Sequence, residues 1–78
     1  MSENQNVLHN LIVTGFSDTS FDDAVSNAIN GAWQNHHEEF ERFVDFSTSE
    51  FVGTIDENLN LKYSVTVKIG AIHKDHEH

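Results

Sequence analysis

An α+β fold is predicted for this chain: strand, helix, strand, strand, with the helix on one face of an antiparallel sheet. Three observations predict it. Phe21, Val25, Ile29 and Trp33 recur at i, i+4, with Ala24, Ala28 and Ala32 beside them, which gives a helix with one apolar face. From Phe40 onward the period drops to two, and it stays there through a second run ending at Ile69. Between these segments stand Gly15, the polar run Ser17-Asp18-Thr19-Ser20 and the turn residues Asp56-Glu57-Asn58.

Residues 1–6 are polar and are expected to form a disordered N-terminus, with residues 7–70 a single domain. Val7 to Thr14 is rich in β-branched residues and reads as the first strand, broken by Gly15. Ser20 is placed to cap the helix, and Asp22 and Asp23 suit the positive end of its dipole. The alanine column lets the helix lie close on a sheet, while Gly31 weakens it by about 1 kcal/mol. Asn35-His36-His37-Glu38-Glu39 is a polar turn. In the strand from Phe40 to Thr54, alternation sends Val44, Phe46 and Val52 toward the helix and Phe43, Asp45, Ser47, Ser49 and Phe51 away from it. Its length invites a bulge, and the register around Ser47 to Ser49 stays open. In the last strand Tyr63, Val65, Val67 and Ile69 share one face and Lys62, Ser64, Thr66 and Lys68 the other. Gly70 ends it, and residues 71–78 are read as a mobile tail rich in acid and histidine.

Composition narrows the function classes. At 78 residues the chain is one small domain, and a domain of that size hides only about 60% of its unfolded surface. It has no Cys, so neither disulfides nor zinc–thiolate sites staple it, and self-association is the expected source of further stability. Four Lys/Arg against 13 Asp/Glu give a net charge of −9, and no basic cluster exists to displace phosphate counterions. Nucleic acid and anionic membrane surfaces are therefore not expected partners. No apolar run approaches the roughly 18 residues of a membrane span. Met1-Ser2-Glu3-Asn4 is neither basic nor apolar, so no secretory signal is expected and a cytoplasmic location is.

Leu11 to Gly15 with Ser17 and Ser20, Phe21 to Ile29 with Ala32, and Tyr63 to Gly70 together resemble the dodecin family. Leu11-Ile12-Val13-Thr14-Gly15 with Ser17 and Ser20 is similar to the family's first strand and turn. Phe21 to Ile29, with Ala32, is similar to its single helix, and Tyr63 to Gly70 to its final strand. The resemblance implies a βαββ subunit whose three-stranded antiparallel sheet curls around one helix. Twelve copies would close into a hollow, non-catalytic shell. It also implies a flavin (FMN, FAD or riboflavin) or similar planar ligand held between subunits for storage or quenching. Some members are instead associated with coenzyme A or calcium. The family stacks the flavin on a Trp in an Arg-Trp-x-Glu-Val context, where this chain has Arg42-Phe43-Val44-Asp45-Phe46. Phe43 thus takes the place of the Trp, and Ser49 is the nearest counterpart of a ligand-gripping Gln. Phe43, Asp45 and Ser49 are the expected ligand-binding residues, with flavin affinity lowered by both replacements.

Other constellations carry less. Trp33 lies on the helix's apolar stripe and is expected in the core or a subunit interface. His73, His76 and His78 form the weak metal candidates, because imidazole suits transition metals, but a terminal tail lacks the fixed geometry a site needs. Ser17, Ser20, Asp23 and His9 do not make a nucleophile set, since helix capping accounts for the serines. No enzyme is expected. The alternative to a small-molecule carrier is a dodecin-like assembly protein that has lost flavin and serves a metal ion such as calcium, coenzyme A or a protein partner.

Overall fold

The computed structural model describes residues 8–74. Strand β1 (Leu8–Ser17), helix α1 (Phe21–His36), strand β2 (Phe40–Ile55) and strand β3 (Leu61–His73) follow in that order. The sheet order is β1-β3-β2, with both pairs antiparallel. The last strand is therefore central, and β1 and β2 are edges.

The position of β3 explains its burial. Val65, Val67 and Ile69 are at most 1% exposed, and complete burial of such a side chain contributes about 1.5–3 kcal/mol. They meet Ala24, Ala28 and Ala32 of α1. The small alanines form the helix's fully buried contact with the sheet, and the larger Phe21, Val25 and Ile29 pack around it only partly buried. The larger residues flank that contact on the side of β2.

Gly15 does not end β1. The strand runs to Ser17, with Gly15 opposite Val65 and Phe16 opposite Ser64. Gly15 lies under the helix, where an added Cβ would collide with the Ala24 carbonyl and sit 2.6 Å from Ala28 Cβ. Glycine is needed here for close helix–strand approach rather than for a turn. The turn that follows is organised by Ser17, whose hydroxyl accepts from the Thr19 amide at 2.8 Å and donates to Asp23 Oδ2 at 2.7 Å. Ser20 caps the helix as expected, its hydroxyl accepting from the Asp23 amide at 3.0 Å.

Gly31 differs from Gly15 because nothing lies within 4 Å of the site of a Cβ. Gly31→Ala is expected to stabilise the protein by about 0.5–1 kcal/mol through helix propensity alone. A rise in melting temperature of a few degrees checks this; a fall would mean that the position is covered in the assembled protein.

β3 also continues past Gly70 to His73. Ala71 is fully buried between Phe43 on β2 and His9 on β1, so residues 71–73 belong to the sheet and not to a tail. The β2–β3 hairpin closes over Asp56, whose Oδ1 accepts from the amides of Asn58 at 2.8 Å and Asn60 at 2.9 Å. These bonds, that to Asn60 first, hold the Asp56 carboxyl below the ordinary carboxylate range.

Candidate functional site

β2 is irregular in three places, with register shifts between Phe40 and Arg42, Phe43 and Asp45, and Ser49 and Val52. Each bulge reverses the alternation that the sequence would otherwise carry through. Phe43 pairs with Ala71 and Phe46 with Ile69, on the helix side. Asp45 pairs with Gly70, Ser47 with Lys68 and Ser49 with Thr66, on the open side.

The expected ligand residues therefore do not share a face. Asp45 and Ser49 point away from the helix, as the alternation predicts. Phe43 does not: its ring stands edge-on to Trp33, with centroids 5.1 Å apart and planes at 83°. Phe51 is likewise on the helix side, 5.3 Å from Phe21 in a T-shaped contact. Val52, expected toward the helix, pairs with Ser64 on the open side. The bulges after Phe43 and after Ser49 are the physical reason for all three corrections.

The open face is built from the outward positions of three strands. β1 contributes Leu8, Ile12 and Phe16, which are 56%, 70% and 67% exposed. β2 contributes Asp45, Ser47 and Ser49, and β3 contributes Lys68 and Thr66 between them. Where Gly70 lacks a side chain, the Asp45 carboxylate lies across the strand, so that an added Cβ would strike Asp45 Oδ1. A hollow of about 270 Å³ opens there, walled by Leu8, Asn10, Asp45, Ser47 and Lys68. It offers a carboxylate acceptor, amide and ammonium donors, and one apolar wall. Phe16 is the aromatic ring that alternation along β1 places on this face. The sequence reading missed it by ending the strand at Gly15, although the alternation Leu8, Asn10, Ile12, Thr14, Phe16 continues through that residue.

A second concavity lies on the helix side. The flank of α1 and the projecting length of β2 enclose an open groove of about 480 Å³, lined by Val25, Ile29, Phe46 and Phe51 with Asn30 and Thr48 at its rim. Trp33, read from the sequence as core or interface, is 38% exposed at the end of α1 and contacts Phe43 and His37.

Of the metal candidates, His73 lies on β3, its ring centroid 5.5 Å from that of Phe40. His76 and His78 lie outside the described residues. Among the described residues, no group of three or more His, Cys, Asp or Glu converges on a point a metal would occupy. No helix among them is long and apolar enough to cross a membrane.

Comparison with solved structures shows the fold. The dodecin from Streptomyces davaonensis superposes with a TM-score of 0.76 at 23% identity, covering 94% of this chain and 100% of that one. A single-substitution variant of the Thermus thermophilus dodecin gives 0.73 at 19% identity, covering 92% and 100%. A second such variant gives 0.72 at 20% identity, covering 91% and 100%. No curated protein matches the chain. The family model described as Dodecin matches residues 7–72, nearly the whole chain, and the protein is therefore a member of the dodecin family.

Proposed function

We propose that this dodecin is a non-catalytic binder of a planar, flavin-like molecule, held between subunits of a twelve-membered shell on the open face of the sheet. The supporting observation is that face itself. It carries the exposed apolar stripe Leu8, Ile12 and Phe16 beside a polar hollow formed by Asp45, Asn10 and Lys68. A lone domain of this size gains little by exposing such a stripe, and a member of a shell-forming family covers it with a neighbour.

The donor set suits an isoalloxazine edge. Asp45 accepts from a ring N–H, Asn10 and Lys68 donate to ring carbonyls, and Leu8 beside them supplies an apolar surface for the ring. Phe43 supports this strand from the helix side, against Trp33, and Ser49 occupies the next outward position but one beyond Asp45. A phenyl ring stacks over less area than an indole, and a hydroxyl replaces only part of an amide's two-way pairing. An unmatched polar edge costs about 1–3 kcal/mol, so flavin affinity is expected to fall about tenfold to several hundredfold below that of a Trp/Gln dodecin.

Two measurements test the proposal. Light scattering should give about twelve times the 8.8 kDa chain mass, and titration should quench riboflavin or FMN fluorescence. Ser49→Gln should strengthen the quenching titration, and Leu8→Ala, in the wall of the hollow, should weaken it. Ser49 is exposed, so its replacement should leave the melting temperature nearly unchanged. If neither variant alters binding while Phe46→Ser does, the ligand sits in the helix-side groove and the open-face reading fails.

One observation favours the second reading, a shell that has lost flavin. The aromatic that replaces the family's Trp is turned to the helix side and engaged with Trp33. A protein of full shell mass that neither carries nor quenches flavin would establish that reading, leaving calcium, coenzyme A or a protein partner as the ligand.

A further inference from the structure

Gly70 is the one position of the central strand β3 without a side chain, and two polar residues flank it on the open face. Asn10 pairs with it from β1 and Asp45 from β2. Nothing in the backbone asks for a glycine there. No glycine among the described residues has a positive φ, so any L residue could adopt the strand conformation at Gly70, and glycine inside a strand weakens it. What the missing side chain provides is room. A Cβ at Gly70 would strike Asp45 Oδ1, lie 3.2 Å from Asp45 Cγ and touch Leu8 Cδ1 at 3.6 Å. The Asp45 carboxylate occupies the space that a side chain at position 70 would take.

The polar groups around this gap are uncommitted. Asp18, Asp23 and Asp56 are each engaged by another group of the fold. Among the described residues, no hydrogen bond or ion pair engages the side chains of Asn10, Asp45 and Lys68. Asp45 and Lys68 wall the same hollow without pairing with each other. The hollow thus offers an acceptor lying over the central strand, with an amide across the strand and an ammonium group two residues along it.

We infer that Gly70 is a specificity-determining position, an inference that rests on the open-face ligand site. By leaving the centre of the row empty it holds the Asp45 carboxylate as the acceptor for an imide N–H, and so restricts the ligand to planar heterocycles that carry an N–H between two carbonyls. An ionised carboxylate only accepts. It attracts a ring edge that donates and repels one that presents lone pairs alone. A charged acceptor makes a bond about twice as strong as a neutral one. A ring alkylated at that nitrogen brings no proton, and its methyl group strips water from the carboxylate with nothing in return. The carbonyls on either side of the N–H meet Asn10 and Lys68, both of which donate. Replacing Gly70 by Ala should spare the fold, because the atom in the way is the end of a side chain on an exposed stretch of β2. Asp45 swings aside, and the acceptor is lost from the hollow.

Fluorescence-quenching titrations of the full-length protein with lumiflavin and with 3-methyllumiflavin, which differ only at the imide nitrogen, test the inference. The parent should bind lumiflavin at least about tenfold more tightly than the methylated ring. Gly70→Ala should weaken lumiflavin by a similar factor and bring the two affinities together, with mass unchanged and a melting temperature no lower than the parent's. Asp45→Ala should do the same. The double variant should be no weaker than either single one, because both changes remove one acceptor. A folded Gly70→Ala protein that keeps the preference for lumiflavin overturns the inference. Should Gly70→Ala fail to fold, Asp45→Ala decides: loss of the preference supports the inference, and its survival refutes it. Equal affinity of the parent for the two flavins, with Leu8→Ala weakening both, would keep the ligand on the open face and overturn the role of Gly70 alone. A parent that quenches neither flavin overturns the open-face reading and this inference with it.

Discussion

Gly15→Ala is expected to cost at least about 3 kcal/mol of stability, above the usual range for an overpacked methyl group. The reason lies in which atoms surround the position. An added Cβ would collide with the Ala24 carbonyl oxygen and lie 2.6 Å from Ala28 Cβ and 2.9 Å from Ala28 N. Two of these three atoms are helix backbone, which cannot rotate aside as a side chain would. α1 would have to lift away from β1, and the contact it lifts from is the core itself, Ala24, Ala28 and Ala32 on Val65, Val67 and Ile69. For a domain this small each kcal/mol moves the melting temperature by roughly 4–8 °C, so a fall of at least about 12 °C should be seen. Adding Ala28→Gly should restore only part of the loss, because the Ala24 carbonyl remains. A Gly15→Ala protein melting within a degree or two of the parent would mean that the helix does not rest on β1 at this point.

The same residue shows where sequence reading succeeds and where it stops. The helix is legible because its signals are local: a capping Ser20, acidic residues in the first turn, and apolar residues at 3.6 spacing. β3 is legible because a central strand buried on one face keeps strict alternation, and Val65, Val67 and Ile69 point inward as the pattern predicts. Gly15 misleads because a glycine that ends a strand and one that lies under a helix are identical in one dimension. The difference is Ala24 and Ala28, which only the packed helix brings overhead.

β2 misleads for a different reason. A bulge adds one residue to the strand and reverses every face assignment after it until the next bulge. Between the bulges the phase is right, so Asp45, Ser47 and Ser49 face outward as predicted. Beyond them it is wrong, so Phe43 and Phe51 turn to the helix. Glu50, at the last bulge, has φ 51°, a left-handed conformation that nothing in its side chain announces. His9 and His73, 64 positions apart, meet with ring centroids 5.0 Å apart only because the register sets His9 opposite Ala71. The family resemblance rests on three stretches, and its most specific parts, the helix and the last strand, are the elements whose periodicity the structure preserves.

The second large effect is expected at Ile12. Ile12→Glu should reduce the assembly from a shell to small species while disturbing the isolated subunit little. Ile12 is 70% exposed on the outward face of β1, so its removal takes no support from the core. It pairs across the sheet with Lys68, and a glutamate there faces an opposite charge, which on an antiparallel pair is favourable by a few tenths of a kcal/mol. In a lone subunit the change should therefore lie within about 0.5 kcal/mol of neutral. In the proposed shell the same position is covered by a neighbour, and a carboxylate brought into that contact loses its water at an effective cost of several kcal/mol. The cost recurs at every equivalent contact, which is why one substitution can dismantle a closed assembly. Light scattering reads the outcome directly as a fall in mass, and lower melting temperature should accompany it because a domain of this size has little stability to spare alone. A variant that keeps full mass and melting temperature would show that the Leu8, Ile12, Phe16 stripe faces solvent in the assembled protein, and the ligand hollow beside it would then lie on the shell's surface instead of between its subunits.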